Sequence, residues 1–204
     1  MSENLMWDIE NQKFTNGIQL IAGVDEAGRG PLAGPVCAAA VILPANIEIP
    51  GLNDSKKLSD KQRRALFPII KERALAYGIA FATEQEIDEK NILQATFLAM
   101  ERAVAQLQIT PELLLIDGNR DHDFGIPSET VIHGDSLSAS IAAASVLAKV
   151  TRDDFMLAQA ELYPEYGFEI HKGYGTKAHY AALEKYGHCK IHRLSFLKKF
   201  YDNK

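Results

Sequence analysis

Cysteine is scarce in this chain: two among 204 residues, Cys37 and Cys189. That excludes a disulfide framework and makes a reducing cytoplasm the expected setting. No apolar run approaches the ~20 residues needed to cross a bilayer; Val36 to Leu43 is too short. Met1 to Lys13 is polar and acidic and lacks a secretory-leader pattern. There is no internal repeat, low-complexity tract or long linker, and no G-x-x-x-x-G-K-S/T phosphate loop. Basic charge is not in excess either: 22 Lys and Arg stand against 27 Asp and Glu, for a net charge of −5. As a mean field this argues mildly against a nucleic-acid partner. Local patches decide docking, however, and an acidic metal site carries charge that its own ions cancel.

What is present is ample apolar material, 47% of the chain, enough for the core of one domain. Gln19 to Val24 and Val36 to Leu43 read as strands joined by a glycine-rich turn. Ser59-Asp60-Lys61-Gln62 fits a capping box opening a helix to about Leu75, with a kink expected at Pro68. Tyr77 to Thr83 reads as a third strand. Thr83-Glu84-Gln85-Glu86 is a second capping-box match, and beyond it Leu93, Phe97, Met100, Val104 and Leu107 recur at helical spacing until Thr110-Pro111. Leu113 to Ile116 is an uninterrupted apolar run, as suits a strand covered on both faces. Thr130 to His133 reads as a fifth strand. Ala139 to Lys149, rich in Ala and Ser, predicts a closely packed helix, and Lys177 to Tyr186 and Leu194 to Tyr201 predict two more. The sum is an α/β domain with a mixed five-stranded sheet, antiparallel first and alternating with helices afterwards.

Within this frame the acids Asp25, Glu26, Asp117 and Asp135 share a setting: each sits where a predicted strand meets a glycine-containing turn. Adjacent strand residues point to opposite faces, so Asp25 and Glu26 cannot both be solvent-face charges on a half-buried strand. Ligands of open α/β sheets bind at the carboxyl ends of parallel strands. Carboxylates gathered there repel one another and call for cations, and Mg²⁺ and Mn²⁺ take oxygen ligands. Each acid also has a plainer reading: Asp117 as a turn former, Asp135 as the cap of the following helix. Gly28-Arg29-Gly30-Pro31-Leu32-Ala33 formally matches the dinucleotide pattern, but that pattern must open a helix, and here a strand follows.

The run Gly23-Val24-Asp25-Glu26-Ala27-Gly28-Arg29-Gly30-Pro31-Leu32-Ala33-Gly34-Pro35-Val36 resembles the signature of the type 2 ribonucleases H, and among them bacterial ribonuclease HII. The likeness continues through Leu52 to Leu58, Ile116 to Asn119, Gly134 to Ser136, Ala142 to Asp153, Tyr166 to Phe168 and His171 to Tyr174, and covers about Leu20 to Phe196. The resemblance implies a ribonuclease H-like fold and a hydrolase with two divalent ions, Mn²⁺ or Mg²⁺, on its substrate. It would cut the RNA strand of RNA–DNA hybrids and nick duplex DNA 5′ to a single embedded ribonucleotide, leaving 3′-hydroxyl and 5′-phosphate ends. By motif position Asp25, Glu26, Asp117 and Asp135 match the metal-binding catalytic carboxylates. The backbone of Gly28, Arg29 and Gly30 matches the segment that reads the ribose 2′-hydroxyl, and Tyr174 the ring that packs on the next sugar. His133 stands where many relatives carry lysine. Residues 1–17 lie outside the resemblance, as an extension with no assigned role before a single catalytic domain, 18–204.

Lys56, Lys57, Lys149, Arg152 and Lys172 are the candidate phosphate contacts, each also readable as a solvated charge. Lys61, Arg63 and Arg64 read as an exposed helix face. His188-Cys189-Lys190-Ile191-His192 offers too few ligands at poor spacing for zinc. Phe196, Phe200 and Tyr201 read as helix packing. Two alternatives remain open from sequence: a resolvase- or transposase-like nuclease acting on DNA alone, and a non-catalytic nucleic-acid-binding module. A monomer is the simplest expectation, with no membrane partner.

Overall fold

The computed structural model describes residues 5–202. A single sheet of five strands forms its centre, in the order β3-β2-β1-β4-β5. These strands are β1 (Ile21–Ala27), β2 (Val36–Ile42), β3 (Ala76–Ala82), β4 (Leu113–Asp117) and β5 (Ser128–Val131). β1 pairs antiparallel with β2, and β2 with β3. β4 runs parallel to β1 and to β5, which gives the mixed sheet expected from the sequence.

Eight α-helices flank the sheet among the described residues: α1 (Asp8–Thr15), α2 (Asp60–Arg73), α3 (Glu84–Lys90), α4 (Ile92–Ala105), α5 (Ala139–Leu162), α6 (Phe168–His171), α7 (Lys177–Tyr186) and α8 (Leu194–Asp202). Strand alternation sorts the core into two layers. Ala22, Val24, Ala38, Ala40, Leu114 and Ile116 pack with Phe97, Met100 and Val104 of α4. Cys37, Ala39 and Val41 pack with Leu66 and Ile70 of α2 and with Ala143, Ala144 and Leu147 of α5. The alanines let α5 lie almost on the backbone of β1. A Cβ built on Gly23 would come within 2.1 Å of the Ser140 carbonyl carbon, so no other residue fits there.

Several boundaries differ from the sequence reading, each for a local reason. β1 runs on through Asp25 and Glu26 instead of ending before them, because β2 continues to pair opposite: Asp25 faces Ala39 and Glu26 faces Ala38. The helical stretch after Thr83 is two helices. Asn91, at φ 72°, ends α3 and caps α4 by accepting from the N–H groups of Leu93 (3.0 Å) and Gln94 (3.2 Å). α2 carries Pro68 in its interior and spans Asp60–Arg73 without a break. α5 extends 13 residues past Lys149, to Leu162. β5 begins and ends two residues before the expected strand, so Asp135 lies in a 3₁₀ turn, Gly134–Ser136, and not at a strand end. α1 was not anticipated: preceded by the buried Trp7, it sends the carboxylate of Glu10 against the N-terminus of α5.

Candidate active site

Period-2 alternation decides which acids meet. Ile21, Gly23 and Asp25 of β1 face α5, as do Leu113, Leu115 and Asp117 of β4; Ala22, Val24 and Glu26 face α4. Because Val24 pairs with Ile116, Asp25 and Asp117 emerge side by side at the carboxyl ends of two parallel strands. The 3₁₀ turn leading into α5 adds Asp135 from the same side. Carboxylate oxygens of the three lie within 4.8 Å of one another. Glu26, on the opposite face of β1, stands beside this triad, and its Oε1 takes the Arg29 guanidinium at 3.3 Å.

Local hydrogen bonds hold each acid. Asp25 Oδ1 accepts from the Glu26 N–H (2.7 Å) and Asp117 Oδ1 from the Gly134 N–H (2.7 Å), which ties β4 to the turn carrying Asp135. Asp135 Oδ2 accepts from Lys56 Nζ at 2.8 Å. Burial, reinforced by the charges of Glu26 and Asp117, pushes the Asp25 carboxyl well above the usual carboxylate range. Burial also raises Glu26, with Arg29 opposing, and raises Asp117, where Asp135 adds to the effect. The hydrogen bond to Asp135 holds the Lys56 ammonium in its charged form.

Three mutually close carboxylates, two of them at most 4% exposed, form an all-oxygen donor set. Lys56 already leans on Asp135, and Arg29 on the adjoining Glu26. The residues therefore fit a hard divalent ion such as Mg²⁺ or Mn²⁺. Among the described residues this is the one group able to hold a metal; His188, Cys189 and His192 do not gather as ligands.

Asp25 and Glu26 open into a cleft of about 250 Å³ whose other walls include Gly28, Arg29, Gly30, Ser55, Lys56, Lys149 and Tyr174. The glycine-rich turn forms its floor and is held from behind by two buried arginines. Arg193 donates to the carbonyls of Gly28 (2.6 Å), Arg29 (2.8 Å) and Gly34 (2.8 Å); Arg152 donates to those of Ala33, Pro35 and Lys172 (3.0–3.2 Å). A trans peptide sets its N–H opposite its carbonyl. With the Gly28 and Arg29 carbonyls turned onto Arg193, the N–H groups of Arg29 and Gly30 point the other way. Gly28, at φ +96°, leaves no room for a side chain, since a Cβ there would lie 1.9 Å from Arg152 Nε.

Arg152 is therefore a correction: it has no exposure and serves the scaffold, with no face left for a phosphate. Among the other candidate cations, Lys56 and Lys149 line the cleft, and Lys149 is paired with Asp153 at 2.8 Å. Lys57 is exposed outside it, 3.9 Å from Asp54, and Lys172 turns its ammonium onto the Glu169 carbonyl. Arg63 is no surface group: it donates to the carbonyls of Ser55 and Leu58. Tyr174 is 45% exposed, its ring edge 3.7 Å from where a Gly30 Cβ would be. His133 is exposed and left-handed at φ 58°, and its carbonyl accepts from Ser136. Sequence reasoning passed over Arg193 and Ser145. The first is signalled only by a lone charge between Ile191 and Leu194. The second is a cleft-lining hydroxyl on α5, buried and without a hydrogen-bond partner, which nothing in an Ala/Ser run distinguishes.

Comparison with known proteins matches residues 22–199 to the family model described as Ribonuclease HII. A ribonuclease HII of Endomicrobium trichonymphae is 57% identical over 192 residues, covering 94% of this chain and 91% of that protein. One from Dechloromonas aromatica is 60% identical over 179 residues, covering 88% and 91%. The crystal structure of the ribonuclease H2 from Pyrococcus horikoshii OT3 superposes with a TM-score of 0.73 at 28% identity, over 91% of this chain and all of that one.

Proposed function

The chain belongs to the ribonuclease HII family and is a metal-dependent endonuclease acting on RNA in RNA–DNA hybrids; from that premise we propose that it also nicks duplex DNA 5′ to a single ribonucleotide, with Asp25, Glu26, Asp117 and Asp135 as its catalytic carboxylates. The observation that carries this reading is the meeting of Asp25, Asp117 and Asp135 within 4.8 Å at one sheet edge. Asp25, Asp117 and Asp135, with Glu26 beside them, would hold the Mn²⁺ or Mg²⁺ ions, two of them when substrate is bound. Bound there, divalent ions supply charge neutralisation at the scissile phosphate and a water of lowered pKa.

The rest of the work belongs to the chain. The outward N–H groups of Arg29 and Gly30 would donate to a ribose 2′-hydroxyl, the one group that marks a ribonucleotide within DNA. Tyr174 offers a flat apolar ring beside Gly30 for the following sugar. Lys56 and Lys149 supply positive charge to the cleft for the phosphate backbone. A carboxylate cluster facing phosphates would only weaken a pure binding module, which disfavours that alternative. The site is completed within one chain, which supports action as a monomer. No described helix is long and apolar enough to cross a membrane, and both cysteines are free thiols, in keeping with the cytoplasmic setting we propose.

The test is a DNA duplex holding one ribonucleotide, incubated with Mn²⁺ or Mg²⁺ and, separately, with chelator. Incision at the 5′ side of the ribonucleotide, giving 3′-hydroxyl and 5′-phosphate ends and requiring the metal, is expected. Equal cutting of an all-DNA duplex would assign the site to a DNA nuclease instead.

A further inference from the structure

The stretch His188 to His192 has no part in the chemistry above, yet its last imidazole begins a buried line of hydrogen bonds that ends at Tyr174. His179 of α7 is fully buried and His192 is 3% exposed. The Tyr174 carbonyl can only accept, so His179 Nδ1, 3.0 Å away, carries a proton. A neutral His179 then presents a lone pair at Nε2, and His192 Nε2, 3.0 Å from it, is the donor. That leaves His192 Nδ1 with a lone pair, which receives the Cys189 N–H at 2.9 Å, with Cys189 Sγ 3.2 Å away. The Cys189 carbonyl also lies 3.3 Å from His192 Nδ1, but the shorter Cys189 N–H contact and the need of His179 Nε2 for a donor set the direction of the line: Cys189 to His192, His192 to His179, His179 to Tyr174.

The surroundings keep both rings neutral. His179 is stacked on His171 (4.5 Å between ring centres), and the rings of Tyr166 and Phe168 enclose the pair. Burial, aided by the neighbouring imidazoles, holds His192 down to about 4 and also lowers His179. His171 is oriented separately, taking the Gly173 N–H at Nδ1 (3.2 Å) and facing the Tyr166 carbonyl through Nε2 (2.8 Å). Its own carbonyl accepts the Tyr174 N–H at 2.9 Å, and the Gly173 carbonyl accepts the Leu32 N–H at 2.8 Å. Both backbone polar groups of Tyr174 are thus held from beneath, and its segment is tied to the glycine-rich turn, while its ring stays half exposed above the cleft.

We infer that the His192–His179 pair is a positioning relay that sets Tyr174 against the substrate sugar and so governs how strictly the enzyme requires a ribonucleotide followed by DNA. This rests on the role proposed for Tyr174. Neither histidine touches substrate. The relay acts by giving the Tyr174 carbonyl, which also accepts the Thr176 N–H at 2.8 Å, a second donor from beneath, and a displacement of about 1 Å in a positioning group costs up to 10²-fold in rate.

The test compares cleavage at a single ribonucleotide in DNA with cleavage of a long RNA–DNA hybrid, as a ratio, for the parent, His192→Phe, His192→Gln and Tyr174→Ala. His192→Phe keeps the ring volume and loses both nitrogens; the ratio is expected to fall about tenfold, with hybrid cleavage changed only a few-fold. His192→Gln restores a donor to His179 and is expected to recover most of the loss. An unchanged ratio in His192→Phe, with a shifted ratio in Tyr174→Ala, overturns the relay and leaves the Tyr174 role standing. An unchanged ratio in Tyr174→Ala removes that role and the relay with it. Should His192→Phe fail to fold, imidazole ¹⁵N NMR of the unaltered protein decides. The relay requires the proton on Nδ1 of His179 and on Nε2 of His192, and any other pair of tautomers overturns it.

Discussion

Individual positions carry opposed demands on stability and chemistry, and Asp25 is the sharpest case. Burial and the neighbouring acids raise its pKa, so without metal the folded protein holds a proton over a range where the unfolded chain has released it. Stability of the metal-free protein therefore falls as pH climbs upward from the ordinary value of 3.8. Asp25→Asn removes that repulsion at constant shape. It should abolish turnover while leaving the metal-free Tm at pH 7.5 equal to or above the parent's, as read by scanning calorimetry; a large fall in Tm would mean that the carboxylate serves the fold. Gly28 carries the reverse demand. Its Cβ would strike Arg152 at a backbone angle that disfavours side chains, so Gly28→Ala should cost about 3 kcal/mol in denaturant unfolding. Unchanged stability would contradict the tight clamp drawn here. The four acids were legible because each lay within two residues of a glycine in a likeness-bearing motif. The scaffold roles of Arg152 and Arg193 were not, because an arginine reads the same in sequence whether it faces a phosphate or a backbone carbonyl.

Elements explain why the acids meet. The Ala/Ser composition of α5 announced close packing, and the Gly23–Ser140 approach is its outcome. What sequence could not show was where cooperative pairing would stop. β1 continues through two acids because β2 stays paired opposite, and one left-handed asparagine divides a long periodic stretch into α3 and α4. Nor was α1 visible, since its eight residues are mostly polar and only its docking holds it. Glu10 is its anchor. Oε1 accepts from Ser138 Oγ (2.7 Å) and the Ser140 N–H (3.1 Å) at the start of α5, while Oε2 is buried without a partner. Burial raises the Glu10 pKa, opposed by those hydrogen bonds. The folded state thus binds its proton more tightly than the unfolded chain, and stability drops as pH rises beyond about 4.5. Glu10→Gln keeps the acceptor without the charge, so its stability relative to the parent should increase between pH 5 and pH 8 in paired urea titrations. A constant difference would show that Glu10 is not strained by its burial.

For the molecule entire, the mixed sheet and its change from antiparallel to parallel pairing followed from the order of apolar runs and the helices between them. The strand order β3-β2-β1-β4-β5 then brings Asp25, Glu26 and Asp117 to the ends of two neighbouring strands, Asp25 and Asp117 facing α5 and Glu26 facing α4, while the 3₁₀ turn before α5 adds Asp135. That division between faces belongs to the register and follows once the continuation of β1 is known. It makes the cluster a place where folding and ion binding are linked, because any ion held only by the folded chain stabilises it. Calorimetric titration of Mn²⁺ into the parent and into Asp117→Asn tests this most directly. If Asp25, Asp117 and Asp135 form one ion-binding centre, the parent binds Mn²⁺ saturably and gains Tm with it, whereas Asp117→Asn binds at least tenfold more weakly and stays fully folded. Undiminished Mn²⁺ affinity in a folded Asp117→Asn protein would mean that the three acids do not act together.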